Sequence, residues 1–308
     1  MKKIELNRHK WKKFNIGVIF VFYIIIVIFR LIHWVNPAVF ASAFPPDSDY
    51  LLRVDEIANG LFNLYGDMYG KETLCHYLYY WFFFFYPLTL LPNIVGFFIW
   101  DALRLVTFIY IILNIAKYIK NDKNFLIWEG ITFTAFYFDQ YLNNTNFLIL
   151  FFLFISYKML LEDKKVLASV FFFLAIFKIN AMLYLVVILI NKKISTKELI
   201  IYYIIPFTVL MIPYIIFPDY LLQWLSNLGF FYSEIPEEPS LFNIFRTLII
   251  LLWKLFQFAQ WMFYGFIIAI FIEDQKEERQ KTLITVVALF FLALLIVIVI
   301  TIIFFPLF

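Results

Sequence analysis

The stretch "FPPDSDYLLRVDEIANG" (44–60) places four carboxylates, Asp47, Asp49, Asp55 and Glu56, shortly after a long apolar run. Further on, polar groups interrupt apolar sequence at three places. These are the amides Asn144 and Asn146 in "DQYLNNTN" (139–146), Lys178 in "FKIN" (177–180) and Arg246 in "PSLFNIFRTL" (239–248). A carboxylate opposite deep cations can take a proton from a hydroxyl while the cations hold a phosphate. Lys178, centred in an apolar stretch, costs ~2.5–3.5 kcal/mol on the insertion scale. That cost calls for a phosphate or an acidic partner, unless the side chain snorkels to the interface. Arg246 can fork onto a phosphate as Lys cannot; it can equally serve as an interfacial anchor. Asn144 and Asn146 can orient hydroxyls or cap the following helix, and Asp47-Ser48 stands where a helix cap is also expected. Asp101 and Arg104, three apart in an apolar run, read as an internal ion pair, whereas Glu129 has no reading.

The elements that must position these groups are membrane spans. Of 308 residues 64% are hydrophobic and 15% charged, with a mean hydropathy of +0.86. No soluble domain of this length is so apolar, and runs such as "IIYYIIPFTVLMIPYIIF" do not alternate as barrel strands do. The 42 Phe and 20 Tyr fit a lipid-facing and packing surface. A single Cys, Cys75, excludes an internal disulfide and a Cys-based metal cluster. The net charge of +3 reflects basic residues beside spans and does not indicate nucleic acid. The apolar stretch from about Phe14 to Trp34 reads as an uncleaved signal-anchor.

Placing the basic connectors in the cytoplasm sets the topology. The N-terminus, "KYIKNDK" (117–123), "LEDKK" (161–165), "NKKISTK" (191–197) and "EDQKEERQK" (273–281) lie inside. The first outer loop is then 35–93, within which the apolar 77–92 forms a juxtamembrane or re-entrant segment ended by Pro87 and Pro92. Residues 94–118 return, 124–161 form a hairpin tipped by 139–146, and 166–190 bend at "FKIN" into two short halves. Residues 198–217 exit, 218–243 make a second outer loop, 244–272 return and 282–306 exit. The expectation is an all-α polytopic membrane protein of about nine spans, one domain over 1–308. The acidic loop, the amides, Lys178 and Arg246 then meet near the outer face.

At these residues the sequence resembles GT-C glycosyltransferases that use polyprenyl-phosphate sugars. The likeness is above all to family 87 and, in the "D-x-D-Y" spacing, to the GPI mannosyltransferase I type. "DSDYLLRVDEIANGLFNLYG" resembles their first outer loop and "PLTLLPNIVGFFIW" the segment after it. "NNTNFLILFFLF…LEDKKVLASVFFFLAIFKIN" looks like an amide, helix, basic turn, helix, Lys signature. "PSLFNIFRTL" resembles a "Q-S-L…R" segment. The sequence departs from the family at "YLYYW", which lacks a usual proline pair, and at Asn143-Asn144 in place of "GQ". The resemblance implies a GT-C-like helix bundle that moves a hexose, mannose first, from a polyprenyl-phosphate sugar to a lipid-linked or surface glycan, inverting the anomeric centre. It implies Asp49 as base, with Asp47 as partner or alternative. Lys178 and Arg246 would hold the donor phosphate, and Asn144, Asn146, Ser240 and His76 the substrates. No metal or cofactor is required on this reading, although Asp47 and Asp49 together offer a place for a divalent ion. The implied location is the cell membrane, multi-pass, with an extracytoplasmic active site; the implied partners are the bilayer, donor and acceptor. Two rivals use the same polar inventory: a transporter or flippase for a lipid-linked glycan, and an inactive scaffold relative.

Overall fold

A computed structural model describes residues 8–37, 46–58, 60–61, 64, 77–115, 118, 122–178, 181–182, 184–185, 188, 194–218, 220–221 and 224. All regular structure among these residues is helical. Among the described residues, two stretches are long and apolar enough to cross a membrane, Lys10–Val35 in helix α1 (Arg8–Val35) and Asn93–Asn114 in helix α4 (Asn93–Ile115). The 28 residues of α1 reach about 42 Å against a hydrocarbon core of about 30 Å. The count of about nine crossings is not reached among the described residues, and the segments expected after residue 224 lie outside them.

Between α1 and α4 come helix α2 (Ser48–Ala58), a 3-10 turn (Tyr79–Trp81) and helix α3 (Phe82–Thr89). Eight residues make α3 about 12 Å long, far short of a crossing. Pro87 sits inside it, and Pro92 follows its end. Gly96 lets α2 approach α4. A Cβ placed there would stand 2.0 Å from the Tyr50 hydroxyl, and Tyr50 is fully buried between Phe85, Phe97 and Trp100.

The expected hairpin is formed by helix α5 (Asp122–Leu142) and helix α6 (Asn146–Leu161). Its turn works because Asn143 takes a left-handed φ of 58°, which Asn tolerates and which ends α5 with Asn144 N–H bonded to the Asp139 carbonyl at 2.9 Å. Helix α6 is apolar all round and is accordingly buried along its length. The basic turn leads into helix α7 (Lys165–Ala175), which packs against α6 through small residues; Ser156 Oγ donates to the Ala168 carbonyl at 2.7 Å. The expected break follows: α7 stops at Ala175, and residues 176–178 turn.

The expected exit of 198–217 is a broken helical run. Helix α8 (Thr196–Leu199) passes through a π turn (Ile200–Ile204) into helix α9 (Ile205–Leu210), then helix α10 (Ile212–Ile216). Pro206 lacks the N–H that would bond the carbonyl of Tyr202, and Ser169 Oγ of α7 donates to that carbonyl instead.

Candidate active site

Arg30 stands near the C-terminal end of α1, and a ladder of buried charges runs from it. Its guanidinium donates from Nε to Asp47 Oδ2 at 2.6 Å and from Nη2 to Asp47 Oδ1 at 2.7 Å. From Nη1 it also reaches Asp101 Oδ2 on α4 at 2.8 Å. The other oxygen of Asp101 accepts from Arg104 Nη1 at 3.0 Å, the internal pair expected from their spacing. Arg104 continues to Asp139 Oδ2 on α5 at 3.1 Å and to the Asn144 carbonyl at 2.9 Å. None of these five charged residues is more than 2% exposed, so each charge depends on its neighbours rather than on water.

The ladder ends at the hairpin tip. Asp139 Oδ1 accepts the first N–H of α6, from Asn146 at 3.2 Å. Asn146 Oδ1 in turn accepts from Lys178 Nζ at 3.0 Å, and that ammonium lies 5.5 Å from the centre of the Tyr77 ring. Tyr77 faces a second cation too, with Arg53 of α2 at 4.8 Å from its centre and ion-paired to Glu56.

The start of α2 is pinned to the same tip. Asp47 N–H donates to the Tyr141 carbonyl at 3.0 Å, and Asn143 Nδ2 donates to Asp47 Oδ1 at 3.0 Å. Asp47 takes a left-handed φ of 65°, uncommon for a residue with a side chain and held here by these contacts. Its carbonyl accepts the Leu51 N–H at the head of α2, while its carboxylate turns to Arg30. Burial pushes the Asp47 carboxyl above the usual carboxylate range, and hydrogen bonds from Arg30 and Asn143 draw it back. Tyr50 is pushed up to about 12 by burial and then by the Asp47 charge, so it stays protonated.

The structure therefore brings together Asp47, Asn144, Asn146 and Lys178 around one hairpin tip. Asn144 uses its side-chain oxygen on the N–H of Thr145 at 2.6 Å, a local turn contact. Asp49 is the second residue of α2, two positions past the pinned Asp47. Of the other acids on α2, Asp55 is exposed, and Glu56 is buried against Arg53 instead of solvated. His76, Ser240 and Arg246 lie outside the described residues. The sequence singles out neither Arg30, which falls inside the apolar stretch 14–34, nor Asp139, which opens the polar tip 139–146. Glu129, unexplained there, accepts from Trp11 and Asn15 and so fastens α5 to α1. Among the described residues no group of three or more His, Cys, Asp or Glu converges to hold a metal.

Fold and site define a helical membrane protein with an acidic helix start fixed to a polar hairpin tip. The profile of glycosyltransferase family 87 matches residues 77–300 of the 308, and the chain belongs to that family. It is thus a glycosyltransferase. Neither a curated protein nor a solved structure matches the chain. Asn144, Asn146, Lys178, Ser240 and Arg246 fall within the matched residues, whereas Asp47, Asp49 and His76 precede them.

Proposed function

We propose that the protein transfers a hexose, mannose as the first choice, from a polyprenyl-phosphate sugar to a lipid-linked or surface glycan at the extracytoplasmic face. The observation that carries this reading is the pinning of α2, the helix of Asp49, onto the tip that holds Asn146 and Lys178. A base and a phosphate-holding cation on one rigid support suit a single displacement with inversion. Asp49 takes the proton of the acceptor hydroxyl. Lys178, joined by Arg246, neutralises the phosphate as it departs, so the reaction requires no metal. Asp47 has both oxygens engaged by Arg30 and acts by fixing the helix start that carries Asp49. Asn146 orients Lys178, with Ser240, His76 and Asn144 near the substrates. The enzyme sits in the cell membrane, multi-pass, with a cytoplasmic N-terminus.

The test uses purified protein in nanodiscs with radiolabelled polyprenyl-phosphate mannose, then other hexose donors, and total membrane lipids as acceptor. Asp49→Asn is expected to lower turnover roughly 10²–10⁴-fold with its unfolding midpoint unchanged. Asp47→Asn is expected to lose a smaller factor in turnover and to unfold earlier. Product from Asp49→Asn at the wild-type rate would sink the assignment of the base.

A further inference from the structure

The last turn of α1, the first turns of α4 and the Pro46–Asp47 turn into α2 border an open cavity of about 340 Å³. That lies within the range of about 300–1,000 Å³ of small-molecule sites. His33, Trp34, Asp47, Leu51, Asn93 and Phe97 line it. Trp34 stacks on Phe97 with ring centroids 6.2 Å apart and remains 40% exposed, a ring half packed and half open. His33 and Asn93 supply hydrogen-bonding groups beside it. The Asp47 charge is matched by Arg30, and the lining includes no Lys or Arg, so an anion gains nothing here. An aromatic face with an amide and an imidazole at its edge fits the C–H face and hydroxyls of a neutral sugar ring.

Two further facts place the occupant. Ile94 of the lining is exposed, as are Leu31, Ile32 and Val35 in the last turns of α1 and Phe98 in the second turn of α4, so apolar surface on which a lipid chain can lie is present on both helices that border the cavity. Lys178 and its neighbours Asn146 and Tyr77 take no part in the wall, so a phosphate held by Lys178 leaves this cavity to a second substrate.

We propose that the α1–α4 cavity is the acceptor subsite and takes the uncharged sugar headgroup of a lipid-linked acceptor, with Trp34 as its platform. The inference rests on the transfer reaction proposed above. The acceptor hydroxyl gives its proton to the Asp49 carboxylate, its oxygen bonds to the anomeric carbon, and the bond from that carbon to the phosphate oxygen breaks, its electron pair leaving with the phosphate.

Photolabelling of the full chain in nanodiscs with a diazirine-bearing dodecyl hexoside tests it, with dodecyl hexoside or dodecylphosphocholine as competitor. We expect saturable labelling within 31–36 and 93–98, displaced by the hexoside and not by the phosphocholine. Trp34→Ala should weaken the apparent affinity about tenfold, and Trp34→Phe should retain it. Labelling that is indifferent to Trp34→Ala, or that phosphocholine displaces equally, overturns the proposal and makes the cavity an ordinary lipid crevice. Binding of polyprenyl phosphate to Lys178→Ala in the same nanodiscs separates the two readings. Undiminished binding there overturns the donor assignment, while the labelling still decides the acceptor subsite.

Discussion

Gly96 and Tyr50 show how closely one residue can be constrained. The Tyr50 ring is fully buried against Phe85, Phe97 and Trp100, so its hydroxyl has nowhere to go when a methyl appears at Gly96. That hydroxyl makes no hydrogen bond among the described residues. Gly96→Ala is therefore expected to cost about 1–3 kcal/mol by overpacking. Tyr50→Phe should be close to neutral or stabilising alone, since it removes a buried unsatisfied hydroxyl. Combined, the second change should restore much of what the first loses, because the next atom of Tyr50 lies 3.1 Å away. Unfolding midpoints of the two single variants and the double check this; strictly additive losses would refute the steric account. At this scale the sequence was legible where charge stands out against apolar neighbours, as for Asp101 with Arg104 and for Lys178. It was silent on Arg30, whose partners Asp47 and Asp101 lie on other segments of the chain, and on Gly96, whose need depends on a ring 46 positions away.

Helices end and bend here for reasons that sequence shows unevenly. The hairpin tip was readable because "DQYLNNTN" gathers polar residues and Asn tolerates a left-handed φ. The break after α7 was readable because "FKIN" interrupts the apolar stretch. The π turn at Ile200–Ile204 was not, since Pro206 announces a lost hydrogen bond without naming the residue that replaces it. The structure names Ser169. Ser169→Ala should cost about 1–3 kcal/mol by orphaning the Tyr202 carbonyl. In a Pro206→Ala background, where the helix supplies its own N–H, the same change should cost little. An equal cost in both backgrounds would show that Ser169 does not act through that carbonyl. A second junction is tied by charge. Lys165 donates to Glu198 Oε1 at 2.7 Å, and the Ser195 N–H and hydroxyl donate to Glu198 Oε2 at 2.9 and 2.8 Å, which ties the head of α8 to the start of α7.

Across the whole molecule, the ladder joins what the sequence separates. Arg30 of α1, Asp47 before α2, Asp101 and Arg104 of α4 and Asp139 of α5 are bound in one desolvated chain, and Asn146 links it to Lys178. Three carboxylates face two guanidiniums within it, and the Lys178 ammonium at its end brings the third positive charge. Such a chain resists loss of one member more than its net worth suggests, because the partners left behind stay buried and charged. Arg104 is the sharpest test, since its one guanidinium serves Asp101, Asp139 and the Asn144 carbonyl together. Arg104→Met is expected to cost about 3–5 kcal/mol, read as a lowered unfolding midpoint in nanodiscs. Arg104→Lys should recover part of it, because an ammonium keeps the charge without the planar fork that reaches three acceptors. Asp55→Asn, on the exposed face of α2, should stay within about 0.5 kcal/mol. If Arg104→Met unfolds no earlier than Asp55→Asn, the ladder does not hold α4 to the hairpin, and the rigid support of Asp49 and Lys178 must come from aromatic packing alone.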